Sequence, residues 1–186
     1  DRVSFRAEPL ERVALPEPVD AVVGRFYLMH ELDPVRAIRL AARMVRGGGR
    51  IVFQEWHYAS ILWAHTSAWP PRTLYRRFVR WSIEGLRHAH AHVDMGLRLV
   101  NAFAEAGLPP PIVRTELRVV RSADSLGFAF FEEAIRDLVP TLERCGVVSA
   151  GRVGVDTFAQ RLERETAEAA GHVFLPLQVG AWTRNV

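Results

Sequence analysis

The feature that most constrains the fold is a strand, a helix and a second strand that follow one another between residues 19 and 56. "VDAVVGRF" (19–26) is a continuous apolar run, which is typical of a parallel strand buried on both faces. In "DPVRAIRLAARMVRGGG", Asp33 is a helix N-cap, Pro34 occupies the first helical position, and the glycines at 47–49 are expected to end the helix. "RIVFQEW" (50–56) is the next strand. This order predicts a right-handed βαβ unit and an α/β fold.

The rest of the chain is mostly helical in pattern. Helices are predicted at 60–92, with an interruption at "WPP" (69–71), and at 95–107. Two further helices end at glycines, and their segments are "DSLGFAFFEEAIRDLVPTLERCG" and "DTFAQRLERETAEAAG". "PPPIVRTELRVV" (109–120) becomes a strand after a rigid turn. "HVFLPLQVGAWTR" closes the chain as a strand that Pro176 places at an edge or a bulge.

Composition narrows the class of protein. Apolar residues make up 49% of the chain, yet no run approaches the roughly 20 residues of a membrane span, so no membrane partner is expected. The single cysteine, Cys145, excludes an internal disulfide framework and fits a reducing cytoplasm, which we take as the expected location.

The basic residues are all arginines, and the formal net charge is only +3. The densest cluster, "RTLYRRFVRW" (72–81), predicts a helix with Leu74, Phe78 and Trp81 on its inner face and solvated arginines opposite. We therefore expect no nucleic-acid partner.

Residues 3–58 carry an ordered series of motifs. A "DAVV" strand is followed by "LMHELDP", by a helix ending in "RMVRGGG", and by a strand "RIVFQE". Further on, "FAEAGLPPPIVRTEL" joins a helix, a glycine turn and a strand. This series resembles the second half of the core of class I S-adenosylmethionine-dependent methyltransferases. The resemblance covers roughly residues 3–58 and 95–120 and the closing strand.

The resemblance implies a Rossmann-like methyltransferase sheet, mostly parallel with an antiparallel closing strand, and a helical cap. It implies S-adenosylmethionine as cofactor and methyl transfer to a small-molecule acceptor. One domain is expected, with 1–58 as the second half of the cofactor-binding core, 59–94 as a helical cap insertion, and 95–186 as the remainder of the core with inserted helices.

The sequence also departs from this family. The glycine-rich cofactor loop and the acidic residue that holds the ribose are absent, and Arg46 stands where the family has a proline. The glycines at 47–49 follow a helix, so they do not replace that loop. The expectation is that the chain as given begins after the first two strands and is inactive alone. The strand at 19–26 would then have an open edge, which a homodimer, the missing strands or residues 3–6 would cover.

Site residues are expected at the carboxyl ends of the parallel strands, where such sheets bind ligands. Three candidates for a catalytic base or a substrate contact lie there: His30, Glu55 and His57. For Glu55 the alternative is a structural hydrogen-bond anchor, and for His57 a loop residue. By resemblance, the cofactor-binding residues are Glu8, Pro9, Leu10, Gly24, Arg25, Phe26, Met29 and His30. Gly24 would let the backbone approach the ligand, and the residues after it would shape the cavity wall.

Two clusters have competing interpretations. "HAHAH" (88–92) invites a metal site, but on a helix its members cannot converge, so no metal is expected. Aromatic residues are dense around the cap, and they form either its core or a pocket for a flat apolar substrate; they are Trp56, Tyr58, Trp63, Trp69, Tyr75 and Trp81. The alternatives to an enzyme of methyl transfer are a non-catalytic binding or dimerisation module of the same fold and, more weakly, a metal-dependent hydrolase or oxygenase.

Overall fold

A computed structural model describes residues 3–62, 74–122 and 124–186. The predicted βαβ unit is present as β1 (Val19–Arg25), α1 (Pro34–Met44) and β2 (Val45–His57). As predicted, Asp33 caps α1: its Oδ1 accepts a hydrogen bond from the backbone N–H of Arg36 at 2.9 Å, with Pro34 in the first turn.

Nine further helices and strands are described in the remaining chain. They are α2 (Leu74–His88), α3 (Met95–Glu105), β3 (Ile112–Glu116), β4 (Val119–Val120), α4 (Ser125–Arg144), α5 (Ala150–Val153), α6 (Phe158–Glu168), β5 (Val173–Phe174) and β6 (Leu177–Arg184). Short 3₁₀ turns span Leu10–Arg12, Leu28–His30 and Val155–Thr157. The predicted interruption at 69–71 lies outside the described residues.

The main sheet has the strand order β1-β2-β6-β3. β1 runs parallel to β2, whereas β6 runs antiparallel to both of its neighbours, β2 and β3. β1, β2 and β3 therefore run in the same direction, and β6 lies between β2 and β3 in the opposite direction. This confirms the predicted mostly parallel sheet with an antiparallel closing strand. Pro176 separates β6 from β5, which pairs with β4 in a small second sheet.

The two faces of the main sheet differ in burial. Helices α1 and α3 pack side by side on one face, where Ile51, Phe53 and Ala181 are at most 1% exposed. On the opposite face, Val23 and Ile112 are 71% and 62% exposed. The prediction that β1 is buried on both faces is therefore wrong, because α1 and α3 cover only one face of the sheet in the described part of the chain.

The start of the chain and the glycine triplet also differ from the predictions. Residues 3–6 belong to no strand, so they do not cover the outer edge of β1. Helix α1 ends at Met44, before the glycines, and residues 47–49 lie inside β2. The C-terminal segment accounts for this, because Asn185 accepts from the N–H of Gly48 and donates to the carbonyl of Gly49, each at 2.9 Å.

Helices α2, α4 and α6 form a separate helical layer. Its core is aromatic: Phe78 and Phe131 meet edge to face at 4.9 Å between ring centroids, and both are fully buried with Tyr75 and Phe158. The predicted inner face of α2 is confirmed, since Leu74, Phe78 and Trp81 are at most 5% exposed. Arg76, Arg77 and Arg80 are exposed on its outer face.

Candidate functional site

The carboxyl ends of β1 and β2 lie side by side because the two strands are parallel and in register up to Arg25 and Gln54. Pairing continues for one residue beyond β1, where the N–H of Phe26 donates to the carbonyl of Gln54 at 2.8 Å. The chain then leaves the sheet through the 3₁₀ turn at Leu28–His30. Segment 26–30 therefore overhangs the sheet edge at which open α/β sheets bind ligands.

Glu55 holds this segment in place. Its side chain is fully buried, and Oε1 accepts hydrogen bonds from the N–H groups of Tyr27 at 3.0 Å and Leu28 at 2.8 Å. Oε2 accepts a longer bond from Met29 at 3.3 Å. Burial raises the pKa of Glu55, although the three N–H donors act in the opposite direction. These are the contacts of the structural-anchor alternative, while a catalytic role for Glu55 stays a prediction.

His57 is the last residue of β2, so it lies in the strand rather than in a loop, and it is 7% exposed. Its Nδ1 is 3.2 Å from the carbonyl oxygen of Asp94. A carbonyl only accepts, so Nδ1 carries the proton, and in the neutral ring Nε2 holds the free lone pair. Nε2 has no hydrogen-bond partner among the described residues. The Asp94 carbonyl thus fixes the orientation of the ring.

His92 ties the same edge to the start of α3, a role that the sequence analysis did not identify. Its N–H donates to the carbonyl of Met29 at 2.8 Å, and its Nε2 lies 3.0 Å from the carbonyl of Glu31. On its other side, Nδ1 accepts from Nη1 of Arg98 at 3.0 Å. The imidazole is therefore a structural bridge, which the "HAHAH" spacing alone could not distinguish from a metal ligand.

His30 and Met29 point to different environments. His30 is exposed, and its N–H donates to the carbonyl of Tyr27 at 3.0 Å. Met29 is 2% exposed and belongs to the core. Of these two predicted wall residues, only His30 is accessible to a ligand, and its role stays a prediction.

Phe26 has the most unusual backbone of the site, with φ at 53°, in the left-handed region that a bulky residue rarely adopts. Its ring stacks on Trp56 with 4.5 Å between centroids and 8° between planes. The guanidinium of Arg25 lies 4.7 Å from the centroid of the same ring. Trp56 and Arg25 thus both contact the ring of Phe26, and the predicted place of Phe26 and Arg25 in the wall of a cofactor cavity stays a prediction.

Gly24 is required for packing, and its predicted role in the approach of a ligand stays a prediction. A Cβ atom at this position would lie 2.4 Å from the ring of Phe53, which β2 places directly opposite. Phe53 is 1% exposed, so its ring has no free space to move into.

Glu8, Pro9 and Leu10 form a separate group. Glu8 is paired with Arg6 at 3.6 Å, Pro9 precedes the first 3₁₀ turn, and Leu10 packs along α1. No hydrogen bond or ion pair between described residues joins these three to segment 24–30. Their predicted contact with the cofactor stays a prediction.

The aromatic residues of the predicted substrate pocket that can be described are buried: Trp56, Tyr58, Tyr75 and Trp81 are at most 7% exposed. Trp63 and Trp69 lie outside the described residues. Within the described ranges, no three His, Cys, Asp or Glu side chains are placed to hold a metal ion. No helix in the described part of the chain has the length and apolarity to cross a bilayer.

No protein-family model matches the sequence, and no curated protein is significantly similar to it. Solved structures do match. A Bacillus halodurans protein described as a candidate methyltransferase aligns with a TM-score of 0.51 and 13% identity, over 96% of this chain and 69% of its own.

Two further structures align more loosely. The [4+2]-cyclase SpnF has a TM-score of 0.46 and 17% identity, over 100% of this chain and 58% of its own. A Haemonchus contortus phosphoethanolamine N-methyltransferase, solved with S-adenosylhomocysteine, has a TM-score of 0.45 and 12% identity, over 95% of this chain and 36% of its own. The chain thus spans less than two thirds of the length of these two. The Bacillus halodurans match and the sheet order agree on the fold, which is that of class I S-adenosylmethionine-dependent methyltransferases.

Proposed function

We propose that this chain is part of an enzyme that transfers a methyl group from S-adenosylmethionine to a small-molecule acceptor. The observation that carries the proposal is the sheet edge formed by β1 and β2. There, segment 26–30 is held in one conformation by Glu55 over the strand ends at which such sheets bind ligands. The ordered motifs of residues 19–55 and the shared fold support the same reaction class.

Methyl transfer depends more on the relative positions of the reacting atoms than on the number of reactive side chains. The acceptor atom must approach the methyl carbon in line with the leaving sulfur, and a rigid site lowers the entropic cost of that arrangement. The hydrogen bonds from segment 27–29 to a fully buried carboxylate provide such rigidity. When bound, S-adenosylmethionine would supply the activated methyl group, and this chain would contribute the surface after β1.

His57 is the residue best suited to take a proton from an acceptor hydroxyl or ammonium group. Its Nδ1–H is oriented by the Asp94 carbonyl, and its Nε2 has no partner within the described ranges, the arrangement of an oriented general base. Glu55 has its oxygens committed to backbone N–H groups, and His30 has no side-chain partner that would orient it among the described residues.

Calorimetry tests the proposal in the full-length protein, with S-adenosylmethionine and S-adenosylhomocysteine as the titrants. Saturable binding of both, followed by release of S-adenosylhomocysteine in the presence of a panel of small hydroxyl, amine and carboxylate acceptors, is the expected result. Binding without turnover across the panel would favour a non-catalytic module. Absence of binding would contradict the proposal.

Two variants test whether His57 is the general base. His57→Gln is expected to lower turnover by about two orders of magnitude, the usual contribution of a general base, with little change in cofactor affinity. His30→Ala serves as the comparison at the same edge. Equal turnover in His57→Gln and the wild type would show that His57 is not the base.

A further inference from the structure

Arg25 is an exposed side chain that is nevertheless fixed in orientation. Its Nε donates to Oε1 of Gln54 at 3.0 Å, and Nε2 of Gln54 donates to Oε1 of Gln178 at 3.0 Å. These bonds run from β1 across β2 to β6. Because the guanidinium also lies over the ring of Phe26, with Cζ 4.7 Å from the ring centroid, its position is defined before any ligand binds.

The backbone of Phe26, which carries this stack, is strained. A left-handed φ at a phenylalanine costs free energy, and such residues persist only where the surroundings hold them, commonly at ligand sites. Here Trp56 holds the ring, and Glu55 fixes the next backbone N–H groups. The ring of Phe26 is thereby held as a flat support beneath the guanidinium of Arg25.

The fixed guanidinium of Arg25 is suited to an acidic partner, but it has none among the described residues. Among the described residues, none of its nitrogens lies within 4.0 Å of a carboxylate, and Nη1 and Nη2 make no hydrogen bond. A planar, oriented fork with free N–H groups matches the two oxygens of a carboxylate or phosphate.

The same guanidinium lines a cavity of about 270 Å³ on the less covered face of the sheet. Gln54 and Gln178 line it as well, and its charged residues are Arg25, Arg114 and Glu116, so its lining carries a net positive charge. We infer that Arg25 and this cavity form a recognition site for the carboxylate or phosphate group of a ligand. The site lies at the proposed methyl-transfer edge, and its biological setting rests on that proposal.

The first test needs no knowledge of the ligand. In ¹⁵N-labelled full-length protein, the Arg25 Nε–H resonance is identified by its loss in Arg25→Gln, and the protein is titrated with inorganic phosphate and with acetate. Arg76, exposed on α2, is the matched comparison, and sodium chloride controls for ionic strength. We expect a saturable shift at Arg25 and only a linear one at Arg76. Identical behaviour of the two resonances would overturn the inference.

The second test identifies the source of the anion. S-adenosylhomocysteine carries a carboxylate, whereas 5′-methylthioadenosine shares its thioadenosine part and lacks the amino-acid end. If the cofactor supplies the anion, Arg25→Gln weakens S-adenosylhomocysteine binding about tenfold or more, as expected for a charge-assisted bond, and leaves 5′-methylthioadenosine unchanged. If the acceptor supplies it, both affinities stay unchanged while the phosphate response persists.

Arg25→Lys and Arg76→Gln complete the design. Lysine keeps the charge but loses the planar fork, so an intermediate anion response is expected. Arg76→Gln should match the wild type. A wild-type protein that responds to phosphate but does not bind S-adenosylhomocysteine would contradict methyl transfer and leave the anion site standing.

Discussion

The two faces of the main sheet are formed by the same strands, but burial on them contributes unequally to the free energy of unfolding. On the face under α1 and α3, Ile51, Phe53 and Ala181 alternate along their strands at 0–1% exposure. One residue away in sequence, on the other face, Val52 and Trp182 are half-buried, and Val23 is 71% exposed. The buried contacts of this sheet are therefore concentrated on one face, while the other face carries polar groups such as Arg25 and Gln54.

The largest expected effect is on the covered face. Phe53→Ala removes a fully buried ring that meets Phe103 edge to face at 6.2 Å, and we expect a loss of about 3–5 kcal/mol in the free energy of unfolding. Val52→Ala, at the next residue on the opposite face, is the control. Chemical denaturation measures both. Equal losses would show that the two faces contribute alike.

A smaller effect is expected from Gly24→Ala, which directs a methyl group at the Phe53 ring. Overpacking of this kind costs about 1–3 kcal/mol. The cost should largely disappear in a Phe53→Ala background, because the clash partner is then absent. A double-mutant cycle by denaturation tests this coupling. If the losses of the two single variants simply add in the double variant, the methyl group added at Gly24 does not clash with Phe53.

Glu55→Gln should cost about 1–3 kcal/mol, because the amide NH₂ faces the buried N–H of Met29 and leaves that donor unsatisfied. The cost should depend on pH. Burial raises the pKa of Glu55, so its contribution to stability is present below the unfolded-state pKa and is lost as pH rises through the folded-state pKa. The gap between wild type and variant should therefore narrow with rising pH. A stability difference that widens with rising pH would mean that folding lowers the pKa of Glu55 instead of raising it.

The smallest effect is expected at Val23→Thr on the less covered face. This side chain is already largely in water, so an isosteric hydroxyl should change the unfolding free energy by less than about 0.5 kcal/mol. Thermal melting is sufficient to check it. A loss above 1 kcal/mol would mean that a partner covers this face in solution.

Sequence reasoning succeeded where the determinants are local. Asp33 and Pro34 specify the start of α1 within one turn, and the spacing of Leu74, Phe78 and Trp81 specifies the inner face of α2. It failed where a distant segment decides. Nothing near Val23 in sequence indicates that one face of β1 is left uncovered, and the glycines at 47–49 are strand because Asn185 pairs with them from the other end of the chain.

In the candidate site, too, features with local determinants could be predicted and those set by distant residues could not. The strand ends that carry Arg25 and Glu55 could be located from the apolar runs before them. The stack of Arg25, Phe26 and Trp56 could not, because it depends on one left-handed φ and on the β1–β2 register. Likewise, the orientation of His57 depends on a carbonyl 37 residues further along the chain.

The position of β6 also governs the order in which the sheet can assemble during synthesis. β3 has β6 as its partner in the main sheet, and β6 pairs Gly180 with Gln54 across most of the chain. A ribosome must therefore release nearly all of residues 1–184 before more than the β1–β2 pair can form. Closing so long a loop is slow, and until then the edge of β2 is exposed to other chains.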